Sequence, residues 1–162
     1  MVALAGLAPD LDGVGYLIDR YNGFNGVDSF FYAQYHHIVG HNLVASVVIA
    51  GCAAFFSKTR RATVFAASIL VTQLHFLCDV LGSRGPDGYQ WPIPYLYPFS
   101  ESAQLVWSGQ WELSAWQNTV ITLGMLAVCA AWSIRQRYSF IEVISGWLDR
   151  EFFKIVARKI DA

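Results

Sequence analysis

Charge is what this sequence has least of. Lys and Arg number 11 and Asp and Glu 12 over 162 residues, 14% together, beside 55% hydrophobic residues. A soluble domain ordinarily carries about a quarter charged residues. The formal net charge of −1 leaves no basic surplus to engage phosphates over a surface, so nucleic acid binding is not expected. Cysteine is scarce too. Cys52, Cys78 and Cys129 each sit in an apolar run without CxxC spacing, which excludes a zinc ribbon or a disulfide frame and reads as small core residues. No GxSxG elbow and no P-loop glycine run is present, so neither a serine hydrolase nor a P-loop nucleotide binder is indicated. The N-terminus lacks the basic start and cleavage site of a signal peptide, so a membrane address would lie in the chain's own helices.

What the chain does have is apolar helix. Its mean hydropathy is +0.38, ordinary for a small helical membrane protein. The expected fold is all-α, an integral membrane protein with about three spans, an N-terminal partial helix and a C-terminal amphipathic helix. Residues 1–137 read as one membrane-embedded domain bearing a metal site, and 138–162 as an amphipathic helix on the cytoplasmic surface. Residues 1–8 read as the end of a helix, stopped by Pro9 and the turn Asp10-Leu11-Asp12-Gly13. Val14 to Gly26 reads as loop with a short helical turn, and Asp28-Ser29 as the cap of a short helix through Tyr35. Spans are predicted over Ile38–Phe56, Ala62–Leu81 and Asn118–Ile134, the first two about 28 and 30 Å long. Residues 82–100 hold four of the five prolines and many aromatics, an interfacial loop. Ser100–Gln117 is expected to be a surface helix with Trp107, Trp111 and Trp116 at the headgroups. Over 138–160, Phe140, Ile141, Ile144, Trp147, Leu148, Phe152, Ile155 and Val156 recur at helical spacing beside Arg150, Lys154, Arg158 and Lys159. That pattern suits a helix lying on an anionic membrane, or one packed on a partner.

Charge bias orients the spans. Lys58-Thr59-Arg60-Arg61, Arg135-Gln136-Arg137 and the basic tail are expected on the cytoplasmic side. That assignment puts His36, His37, His41, His75 and Asp79 toward the outer face, together with the proline-aromatic loop.

Those residues carry the chemistry. His75 and Asp79 stand four apart in an apolar run and so share a helix face, where they are costly unless satisfied. Asp10 and Asp12 offer two carboxylates to one site, or simply end a helix. On a continuous helix His37 and His41 share a face, whereas His36 and His41 are about 140° apart. Helical geometry therefore favours His37 with His41, and a helix that begins only near Ile38 would leave His36 free to point anywhere. Imidazole with carboxylate suits a divalent transition metal, zinc foremost and manganese or iron as alternatives, one or two ions. The alternatives are a buried His–Asp polar network, or a metal that staples helices without catalysis.

Taken in order, these segments resemble a family of bacterial inner-membrane, metal-dependent hydrolases with PDxDH, HRGxTHS and SHxxxD segments and a proline-bearing loop ending near YPF. Here they read Pro9-Asp10-Leu11-Asp12-Gly13, His36-His37-Ile38-Val39-Gly40-His41-Asn42, Leu74-His75-Phe76-Leu77-Cys78-Asp79 and Tyr97-Pro98-Phe99. The resemblance implies Asp10, Asp12, His36, His41, His75 and Asp79 as ligands, and it prefers His36 over His37. It departs at His37 for arginine, Gly40 for threonine, and Asn42 and Leu74 for serines. Members usually begin with a further histidine-bearing segment, which this chain would follow.

The implied activity is hydrolysis of a phosphoester or other ester, with lipid among the candidates, and a more distant similarity to zinc-dependent phospholipases C and single-strand nucleases. Metal-activated water would attack, and Asp12 or Asp79 would take its proton. Arg84, just past the helix, is a candidate phosphate contact or an interfacial anchor. Membrane lipids and a small-molecule or lipid substrate are the expected partners.

Overall fold

In a computed structural model of the chain, residues 1–23, 31–36, 38–85, 88–139 and 141–160 are described. They are mostly helical and form two compact units, Met1–Leu113 and Ser114–Ala162. His37, Asp28, Ser29 and Phe140, each singled out in the sequence, lie outside the described residues.

The first unit is built on an antiparallel helical hairpin. Helix α4 (Leu43–Phe56) and helix α5 (Arg61–Gly82) are joined by a short polar turn, in which Ser57 Oγ donates to Thr59 O and Arg61 Nε to Ser57 O. Small residues bring the two helices together. Ser46, Ala50 and Ala53 are the buried positions of α4, and Ser68, Thr72 and Phe76, spaced four apart, form the buried stripe of α5. Helix α1 (Val2–Leu7) packs on both.

A 3₁₀ helix (Pro9–Val14) leads from α1 into α2 (Gly15–Tyr21). The buried Asp19 of α2 accepts from Phe31 N and Tyr32 N, satisfying the first turn of α3 (Phe31–Tyr35). After α5 the chain forms a two-residue antiparallel pair, β1 (Ile93–Pro94) with β2 (Gln104–Leu105).

Three expectations change. The first predicted span begins at Leu43, not Ile38, because Asn42 caps the helix, its Oδ1 accepting from Ala45 N at 2.8 Å. Its 14 residues reach about 21 Å, so only α5 and α6 (Trp116–Gln136) among the described helices are long and apolar enough to cross a membrane. Residues 100–115 do not form the surface helix expected there. Their backbone is engaged elsewhere: Trp111 N donates to Leu81 O, Arg84 N to Trp111 O and Leu113 N to Arg84 O, closing the end of α5. The cysteines are exposed and unpaired, not core.

In the second unit, α6 has no buried residue. Helices α7 (Ile141–Ile144) and α8 (Gly146–Ile160) follow, with the buried Asp149 accepting from both N and Oγ of Ser139. On α8, Trp147, Leu148, Phe152 and Ile155 are exposed, as are the basic Arg150 and Lys154.

Candidate metal centre

The site forms where three segments of the first unit meet: the 3₁₀ helix, the irregular stretch before α4, and the last turns of α5. In a 3₁₀ helix of three residues per turn, Asp10 and Asp12 cannot share a face. They diverge and take His41 from two sides. Asp12 Oδ2 meets His41 Nδ1 at 3.2 Å, while Asp10 Oδ1 lies 3.7 Å from His41 Nε2.

His41 is completely buried, and its placement depends on both neighbours. Asn42 ends the irregular stretch by capping α4 and donates from Nδ2 to Ile38 O at 2.7 Å. Gly40 lets the stretch lie against the 3₁₀ helix. A Cβ there would stand 2.2 Å from Pro9 O, and Gly40 N donates to Asp12 Oδ2 at 3.0 Å. The glycine is a requirement of close approach.

From α5, His75 and Asp79 project together, as their spacing predicts. His75 Nε2 is 3.2 Å from His41 Nε2 and 3.3 Å from Asp10 Oδ1. Asp79 Oδ2 is buried and 3.3 Å from both Nε2 atoms. Ser83 Oγ and Gln110 Nε2 both donate to Asp79 O at 2.7 Å, holding the end of the helix. Gln110, 2% exposed, was not a sequence candidate.

His36 stands one layer back. Its Nδ1 is 2.8 Å from Asp12 Oδ1, and its ring stacks on Tyr32 at 4.4 Å between centroids, with Trp91 edge-on at 5.7 Å. Asp12 is thus enclosed by His36, His41 and Gly40 N, while Asp10, 57% exposed, forms the open rim.

The electrostatics ask for positive charge. Asp10 is held well below the usual carboxylate range by hydrogen bonding to His41 and His75, against a smaller opposing effect of burial. Burial pushes Asp12 up, but His36, His41 and Gly40 N outweigh it and the net direction is down. Burial alone would lower His41; Asp10, Asp12 and Asp79 instead raise it to about 11.

The donors fit a divalent cation. Asp10, His41 and His75 each offer an atom within 4.8 Å of the others. Tetrahedral zinc with bonds of about 2.0–2.1 Å separates its ligand atoms by about 3.3 Å, and the closest approaches here run from 3.2 to 3.7 Å. Asp79 Oδ2, 3.3 Å from the Nε2 atoms of both His41 and His75, stands beside this set of three.

A family model described as YdjM inner membrane protein matches residues 1–152. No curated protein and no solved structure matches the chain. The chain belongs to the YdjM inner membrane protein family.

Proposed function

We propose that this member of the YdjM inner membrane protein family is a metal-dependent hydrolase of phosphoesters or other esters, working at the outer face of the membrane. The observation that carries the reading is the convergence of Asp10 Oδ1, His41 Nε2, His75 Nε2 and Asp79 Oδ2 from three segments of chain. Three protein ligands with a further position open is the catalytic pattern, whereas a closed set of four is the structural one.

Asp10, His41 and His75 would hold the ion in this reading, zinc foremost. When bound, the ion supplies an acidified water and a positive charge facing the developing oxyanion. Asp79, whose Oδ2 lies 3.3 Å from both imidazole Nε2 atoms, would accept the proton of a water activated there. Asp12 has both oxygens engaged, so it keeps His41 in the tautomer that turns the Nε2 lone pair to the ion. The exposed rim at Asp10 is where substrate enters.

Two outcomes test this. The detergent-purified chain is expected to hold about one equivalent of transition metal, and Asp10→Ala/His75→Ala to lose it. Asp79→Asn is expected to retain the metal and lose activity in a screen that starts with phosphoesters. A chain with no stoichiometric metal after reconstitution with Zn²⁺ or Mn²⁺ would leave these side chains as a buried polar network.

A further inference from the structure

Tyr95 donates nothing to the cluster, yet it reaches α4, which begins just after His41, and α5, which carries His75 and Asp79. It follows β1, where its N donates to Ala103 O at 3.0 Å. Its carbonyl accepts from Leu43 N at 2.9 Å, at the first residue of α4 and two positions after His41. Its hydroxyl donates to Gln73 Oε1 at 2.9 Å, on α5 and two positions before His75.

Gln73 passes the link on. Its Nε2 donates to Ser46 Oγ at 3.0 Å, and Ser46 meets Thr72 Oγ1 across the helical interface. Thr72 gives its only hydroxyl proton to Ile69 O at 2.9 Å, so Ser46 is the donor to Thr72. The chain therefore has one direction throughout: Tyr95 to Gln73, Gln73 to Ser46, Ser46 to Thr72, Thr72 to the helix backbone. Each group has the partner its chemistry requires, and Ser46 and Thr72 are fully buried. The Gln73 amide can take only one orientation, oxygen to Tyr95 and nitrogen to Ser46.

We propose that Tyr95 is the positioning residue of the metal centre, fixing the start of α4 against α5 and so the 3.2 Å spacing of the His41 and His75 Nε2 atoms. This rests on the metal-site reading above. The Ser46–Thr72 contact alone would bind the helices without setting the site. Tyr95 adds a third segment whose carbonyl and hydroxyl go to neighbours of the two ligands. Removing the hydroxyl leaves Gln73 Oε1 without its donor and frees the amide to turn, so the two helices lose their fixed register near the cluster.

The test is Co²⁺ and Zn²⁺ binding to the detergent-solubilised full chain, with the visible spectrum of bound Co²⁺ as a direct report on ligand geometry. Tyr95→Phe keeps the ring and the carbonyl contact. It is expected to bind either ion about ten-fold more weakly, at the mild end for residues that support ligands, and to shift the Co²⁺ spectrum. Gln73→Ala should do the same, and the double variant should be no worse than the weaker single one, since both cut one link. Tyr97→Phe, in the same loop but exposed, should match wild type. Wild-type affinity and spectrum in Tyr95→Phe would overturn the proposal while leaving the metal site standing. If Tyr95→Phe loses helical content, Gln73→Ala decides on the same two readouts. A wild-type chain that binds neither ion would remove the hydrolase reading, and this inference with it.

Discussion

Asp12 Oδ2 lies 3.2 Å from Nδ1 of the buried His41, on the side of the ring away from His75. A carboxylate there fixes the Nδ1–H tautomer and leaves the Nε2 lone pair for a metal. Asp12→Asn keeps the shape and removes the charge. It is expected to weaken Zn²⁺ affinity by about 10- to 100-fold, read by competition with a chromophoric chelator, with helical content unchanged. Undiminished affinity would show that Asp12 does not act through His41.

The pH dependence follows from His41. Its pKa is raised from 6.5 to about 11 in the metal-free chain. A raised histidine stabilises the fold fully below its unfolded pKa, and that contribution is lost as pH rises through the folded one. The metal-free chain should therefore lose stability between neutral pH and about pH 11. Metal must displace this proton, so affinity should strengthen as pH rises, with protons released on binding near neutrality. Asp10 and Asp12 are both depressed and stay ionised throughout that window. Calorimetry of Zn²⁺ binding in two buffers of different protonation enthalpy measures the release. Affinity independent of pH from 6 to 9 would contradict it.

His75 and Asp79 were legible in the sequence because a regular helix makes spacing equivalent to direction, and α5 is regular. The ends of α5 were legible as well, within one residue. Asp10 and Asp12 looked equivalent, and their separate duties depend on a 3₁₀ turn that apolar periodicity does not reveal. His41 sits outside α4, so the helical-face argument pairing it with His37 has no helix to act on. The signal missed was Asn42, a strong N-cap residue directly before the apolar run. Tyr95 gave no signal. In a loop rich in proline and aromatics it reads as an interfacial ring, and its role exists only through partners far off in sequence.

Gly40→Ala tests the close approach. The added Cβ would meet Pro9 O at 2.2 Å, a backbone atom that cannot swing aside. The 3₁₀ helix must move off the His41 stretch, breaking the Gly40 N to Asp12 bond. Overpacking of this kind costs about 1–3 kcal/mol. A lower melting temperature and metal affinity reduced alongside are expected. Gly51→Ala is the control, since nothing lies within 4 Å of a Cβ there. If both variants behave alike, the contact does not set the site.

The orientation proposed for the site can be read with single thiols. Cys52, Cys78 and Cys129 are exposed, so they must first be replaced by alanine. Lys58 lies in the basic turn between α4 and α5, and the exposed Glu101 lies beyond the proline-aromatic loop. Because α5 is long and apolar enough to cross a membrane, the two positions would bracket that one span. The basic residues Lys58, Arg60 and Arg61 favour the cytoplasm for the first of them. Glu101→Cys is then expected to react with a membrane-impermeant maleimide on intact cells. Lys58→Cys should react only after permeabilisation. The reverse pattern would put Asp10, His41 and His75 on the cytoplasmic side and turn the search for a substrate inward.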